Sequence, residues 1–168
     1  MNMSTISHPR SINHVGVGVA DLDAAITWYT NVMRFSVVKK AFSVTSDGGY
    51  DGEMAVNVLG KAFRKMRMAH LAAANGVGFE IFQLIDPPHE RKTQSLEYWK
   101  NGFFHICVTD PNVEELVKSI TSHGGKQLSR IWLIEPEQPR YRMCYCEDPF
   151  GNILEIYSHN YEMLYGGI

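Results

Sequence analysis

Nowhere in these 168 residues does an apolar run approach the roughly 18 to 20 residues of a membrane span, and the opening MNMSTISHPR lacks the apolar centre of a secretory leader. A cytoplasmic protein is therefore expected, with no membrane as partner. Cysteine is scarce and odd in number (Cys107, Cys144 and Cys146), too little for a secreted disulfide framework and in keeping with a reducing compartment. Cys144 and Cys146 would share one strand face, but no further cysteine pair follows, so they read as ordinary buried thiols and not as half of a metal site. Charge of one sign is missing too. A net charge of -2 with 20% charged residues gives no bias toward nucleic acid or an anionic lipid surface, and leaves a small molecule as the expected partner.

The chain is long enough for one domain with a sizeable core. It contains an internal repeat. NHVGVGVADLDAAITWYTNVMRF and FHICVTDPNVEELVKSITSHGG each open with His, a branched apolar residue, any residue and then Val. Both then pass through an aspartate-containing turn into an amphipathic helix. In the first helix Asp21 is the expected N-cap, and Leu22, Ala25, Ile26, Tyr29 and Val32 or Met33 form the buried stripe. In the second, Asp110 is expected to cap, Pro111 to take the first helical position, and Val113, Leu116, Val117 and Ile120 to face the core before Gly124 and Gly125 end the helix.

Three strand-like segments follow each helix: FSVVKKAFSV, FRKMRMAHLAA and VGFEIFQLI, then GKQLSRIWLI, YRMCYCED and NILEIYSH. The reading is a single domain over 1–168. It comprises a first module at 11–87, a linker at 88–101 with a short helix from Ser95 to Lys100, a second module at 102–159 and a tail at 160–168. TSDGGYDGE, Thr45 to Glu53, reads as a polar loop, a mobile turn or lid with no helix after it.

Strand alternation separates Val15, Val17 and Val19 from His14, Gly16 and Gly18. Likewise Phe104, Ile106 and Val108 oppose His105, Cys107 and Thr109, while Glu80 and Glu155 sit between apolar pairs that point toward the helices. Each of these ionisable residues then faces away from the core. Two histidines and two glutamates at equivalent points of a repeat supply two imidazoles and two carboxylates, a set suited to a borderline divalent metal.

With these residues, and with the closing DPFGNILEIY, the chain resembles the vicinal oxygen chelate superfamily over about residues 12 to 159. That superfamily includes glyoxalase I, methylmalonyl-CoA epimerase, extradiol dioxygenases, and fosfomycin and bleomycin resistance proteins. The resemblance implies an α+β fold of two tandem βαβββ modules whose curved mixed sheets form a metal-containing cleft. It also implies one divalent ion (nickel, cobalt, zinc, manganese or iron) on His14, Glu80, His105 and Glu155, and a homodimer. In the glyoxalase-like branch a ligand glutamate loosens and removes a proton beside a carbonyl, giving an enediolate, which makes Glu155 and Glu80 the catalytic candidates.

The set His, Glu, His, Glu is similar to bacterial glyoxalase I, yet Gly18 stands where that enzyme typically carries a glutathione-binding arginine. SLEYWKNGFFHICV is similar to the epimerases, which carry glutamine at the position of Glu80; Glu53 lies near where their base falls. Tyr145, Asp148, Pro149, Gly151 and Glu155 satisfy part of the extradiol signature, but the histidine it requires before the tyrosine is missing from IEPEQPRYRMC. The expected activity is a metal-dependent lyase or isomerase/epimerase. An iron-dependent dioxygenase and a non-catalytic binding protein are the alternatives.

Gly18, Arg142, Tyr145 and Tyr157 are the candidate substrate contacts. Gly18 leaves space, Arg142 could receive a carboxylate or phosphate, as could Lys61, Arg64, Lys65, Arg67 and Arg140, and the tyrosines would wall an apolar group. His8, His70, His89 and His123 have no counterpart in the repeat and read as structural or surface residues, and His159 as exposed.

Overall fold

The computed structural model describes residues 9–90, 94–137 and 139–166. The chain forms two compact units, Met1–Ile26 with Arg34–Pro87, and Thr27–Met33 with Pro88–Ile168. The architecture is α+β, a tandem of βαβββ modules.

The first unit runs β1 (His14–Gly18), α1 (Leu22–Asn31, whose second half belongs to the other unit), β2 (Ser36–Thr45), α2 (Gly49–Leu59), β3 (Lys65–Ala72) and β4 (Gly78–Asp86). Its sheet has the order β1-β4-β3-β2, with β1 parallel to β4 and the other pairs antiparallel. Alternation works as the sequence suggests: Val17, Ala69, Leu71, Phe79 and Ile81 are buried on one face. Asp21 does cap α1, its Oδ1 accepting from the Ala24 N–H at 3.0 Å. Two contacts tie the start of the helix to this face, a two-pronged Arg67–Asp23 pair at 2.9 and 3.0 Å and a hydrogen bond from Gln83 Nε2 to the Ala20 carbonyl.

Thr45 to Glu53 is not an open loop. Helix α2 begins at Gly49 and carries the exposed Glu53, and its Ala55 is buried with Val44, Phe63, Met66 and Met68, flanked by Phe42, Val56, Phe82 and Leu84. This second core lies on the sheet face opposite α1, as strand parity requires of residues 66, 68, 82 and 84. Local propensity favours a turn at GGYDGE, and burial of Ala55 overrides it. Gly52 permits the close approach, because a Cβ there would lie 2.2 Å from the Thr45 carbonyl oxygen. Gly52→Ala is therefore expected to destabilise the protein by about 1–3 kcal/mol in urea unfolding, overpacking exceeding the ~1 kcal/mol that alanine gains over glycine in a helix.

The second unit runs β5 (Ile106–Thr109), α3 (Val113–Ser122), β6 (Lys126–Gln127), β7 (Trp132–Leu133), β8 (Arg142–Glu147), β9 (Ile153–Tyr157) and α4 (Tyr161–Tyr165). The sheet order is β5-β9-β8-β6, with β7 also on β8 and β5 parallel to β9. Leu154, Ile156, Cys144 and Cys146 share the core face, and Val113, Leu116, Val117 and Ile120 of α3 are buried as expected; all three cysteines are free thiols.

Three expectations fail in this half. Helix α3 starts at Val113, because Asp110 Oδ1 accepts from the Asn112 N–H in a tight turn ahead of the helix, and Asn112 takes the cap position. The segment 94–100 forms turns instead of a helix, with Lys100 bonded to Glu97. GKQLSRIWLI breaks into β6 and β7, because the Tyr145 carbonyl accepts from both Leu128 and Ser129 and the ladder skips.

The turn Asp148–Gly151 feeding β9 is anchored at Asp148, which is 1% exposed. Its carboxylate accepts from Tyr29 Oη at 2.5 Å, from the Phe150 and Asn152 N–H groups at 2.9 and 2.7 Å, and from Asn152 Nδ2 at 2.9 Å. Burial pushes the Asp148 carboxyl up against the pull of these bonds, and raises the Tyr29 hydroxyl well above its ordinary value.

Candidate functional site

Parallel pairing of β1 with β4 sets Gly16 beside Glu80, so His14, two residues earlier on the same face, reaches the carboxylate diagonally. Its Nε2 lies 3.5 Å from Glu80 Oε2, while its Nδ1 is 2.9 Å from Asn13 Oδ1. The amide oxygen accepts a hydrogen bond there, which favours the tautomer with N–H on Nδ1 and leaves a lone pair on Nε2 facing a carboxylate lone pair. Such a pair calls for a cation between them, a proton or a metal.

The second unit repeats the register. Cys107 pairs with Glu155, and His105, two residues before it, brings Nε2 to 3.2 Å from Glu155 Oε2. The other ring nitrogen, Nδ1, is buried and has no hydrogen-bond partner among the described residues. Glu155 itself is buried, its side chain 7% exposed, against 21% for Glu80. Tyr145 is its direct partner across β8 and β9, and Cys107 its register partner on β5. Desolvation and the adjacent carboxylate push the Tyr145 hydroxyl up and the Cys107 thiol up to about 12, so both stay protonated at neutral pH.

The remaining candidates are unequal. Tyr157, raised mainly by desolvation, bonds Tyr165 of α4 at 3.0 Å, which brings α4 back against the end of β9. Gly18 ends β1 opposite Phe82, whose ring would be 3.1 Å from a Cβ at Gly16, so the glycine face admits an aromatic ring beside Glu80. Arg142 is held by Glu114 at 2.6 and 2.7 Å and by the Pro111 carbonyl at 2.9 Å, and Arg67 by Asp23. Arg64 binds the carbonyls of Lys61 and Phe63.

One residue read as structural belongs to the site. His70 on β3 is directly opposite Glu80, with Nδ1 3.1 Å from Oε1, and with His14, Glu80, Asn13, Val38 and Gly78 it lines a cavity of ≈ 250 Å³. The repeat carries the signal: His70 precedes Glu80 by the same interval as Tyr145 precedes Glu155, and both are direct cross-strand partners.

Among the described residues no group of three or more His, Cys, Asp or Glu forms a ready cage for a metal. Each unit supplies two donors. Their N···O separations of 3.5 and 3.2 Å are close to the ~3 Å between neighbouring ligand atoms on an ion with ~2.1 Å bonds. The donor types, an imidazole nitrogen and a carboxylate oxygen in each unit, fit a borderline divalent ion.

Among the described residues no helix is long and apolar enough to cross a membrane. No curated protein matches the sequence. Solved structures share the fold at low identity. A glyoxalase family protein from Bacillus cereus is 19% identical with a TM-score of 0.73, over 91% of this chain and 96% of that one. The fosfomycin resistance protein FosX from Listeria monocytogenes, a mutant form complexed with Mn(II) and 1S,2S-dihydroxypropylphosphonic acid, is 14% identical with a TM-score of 0.58, over 94% and 96%. Glyoxalase I from Zea mays is 16% identical with a TM-score of 0.60, over 88% of this chain and 44% of the maize chain. The sequence profile of one family matches residues 11–156. This chain belongs to the Glyoxalase/Bleomycin resistance protein/Dioxygenase superfamily.

Proposed function

We propose that this protein is a divalent-metal-dependent lyase or isomerase/epimerase of the glyoxalase type, which removes a proton next to a carbonyl in a small-molecule substrate. One observation carries the reading: each unit holds a histidine against a glutamate, reached through the same strand register. The proposed ligands are His14, Glu80, His105 and Glu155, holding one nickel, cobalt, zinc, manganese or iron ion. The manganese in the FosX complex supports the metal class. When bound, the ion would act as a Lewis acid for the negative charge that develops beside the carbonyl.

The chain's own groups do the rest. Glu80 borders the cavity and is the carboxylate a substrate reaches there. Glu155 is the second proton acceptor, with Tyr145 on β8 and Cys107 on β5 beside it. An epimerase would use both carboxylates, one to remove the proton and one to return it. With Arg142 and Arg67 committed to Glu114 and Asp23, neither supplies a free cation for a phosphate or carboxylate. The protein is proposed to act as a homodimer.

Protein purified without chelators is expected to carry about one divalent ion per chain by elemental analysis. In D₂O it should erase the NMR signal of the C–H next to the carbonyl in a panel of α-hydroxy and α-methyl carbonyl compounds, without consuming oxygen. Oxygen uptake during turnover would replace this reading with a dioxygenase, and absence of stoichiometric metal would remove it.

A further inference from the structure

We propose that His70 is a positioning residue for the candidate metal site. Standing against one oxygen of Glu80 across the strand pair, it restrains the carboxylate so that the other oxygen is presented to the ion. The inference rests on Glu80 being a metal ligand.

The two oxygens of Glu80 have different partners: Oε1 is 3.1 Å from His70 Nδ1, and Oε2 is 3.5 Å from His14 Nε2. The 3.1 Å approach is a close polar contact, in which a carboxylate can only accept and the ring nitrogen can only offer its proton. A ring that restrains a carboxylate must itself be held, and it is. Its backbone is the direct antiparallel partner of Glu80, and its plane stacks on Phe42 at 5.7 Å between centroids with 9° between planes. Phe42 in turn lies under the Lys39 ammonium, 3.8 Å from its ring centre, and packs against the α2 core. The imidazole is thus wedged from below and aimed sideways.

The second unit uses the same place for the same purpose. Tyr145 is the direct antiparallel partner of Glu155, near enough for the carboxylate to raise its hydroxyl. One cross-strand neighbour with a proton to offer per glutamate suits orientation of a ligating carboxylate, since an untethered glutamate loses entropy each time it binds.

Cobalt(II) titration of the full chain, followed by visible absorption, tests this against melting of the metal-free protein. His70→Ala is expected to weaken cobalt(II) binding by about ten- to a hundredfold. Its metal-free melting temperature should stay near the wild-type value. His70→Asn places an amide N–H at the same bond count from Cα as Nδ1, and is expected to restore most of the affinity. Equal affinities for wild type and His70→Ala overturn the inference, as does a His70→Asn variant as weak as alanine. A wild-type protein that binds no cobalt(II) removes the metal reading itself, and this inference with it.

Discussion

Glu155→Gln is expected to lower kcat by about 10²- to 10⁴-fold, the range lost when a positioned general base is removed. The amide keeps the size of the side chain and an acceptor oxygen, but loses the charge that would bind the ion and the basicity that would take the proton. Because Glu155 is nearly dry and lies against His105, Tyr145 and Cys107, the substitution also turns an amide NH2 toward one of these neighbours. A drop of a few degrees in melting temperature should accompany the loss. Comparing deuterium wash-in, metal content and melting for wild type and variant separates the contributions. Wild-type wash-in by Glu155→Gln would exclude it as the acceptor, and unchanged metal content would exclude it as a required ligand.

The largest stability effect is expected at Asp148→Ala. Removing this carboxylate strands the Tyr29 hydroxyl, the Phe150 and Asn152 N–H groups and the Asn152 amide in a place that is 1% exposed at its centre. A buried donor that loses its partner costs about 1–3 kcal/mol, and the three partly buried donors add less each, so a loss of about 2–4 kcal/mol is expected, a large part of a domain's total stability. Asp148→Asn keeps one acceptor oxygen and should lose roughly half as much. Urea unfolding of both variants measures this directly, and a loss under about 1 kcal/mol for alanine would show that water replaces the carboxylate. The consequence reaches the site, because the Asp148 turn sets where β9 begins and hence where Glu155 stands.

The candidate site was legible to the extent that the repeat was. A histidine heading an alternating strand and a glutamate between apolar residues appear twice in order, and the structure finds a contact in each unit. His70 was not singled out because nothing in its own segment marks it; its meaning comes from pairing with Glu80 across β3 and β4, a relation between residues on different strands. Arg142 looked free for a ligand until Glu114, on α3, was found against it. The same division holds in the fold. Helix α2 was hidden by three glycines whose local preference is a turn, and the gap between β6 and β7 by an apolar stretch with no break in its composition.

By itself the sequence determined what repeats and periods can carry: the α+β class, the helix stripes, the buried faces of the main strands and the four donors at equivalent positions. Those follow from side-chain alternation and from caps such as Asp21, which act within a few residues. Only the tertiary structure decided that Ala55 pulls a glycine-rich segment into a helix, that Glu155 is dry while Glu80 borders a cavity, and that His70 and Tyr145 are the cross-strand partners of the two glutamates. The reason is physical: burial and cross-strand hydrogen bonds are set by register and packing between distant segments, and no local pattern encodes which side chain will face which.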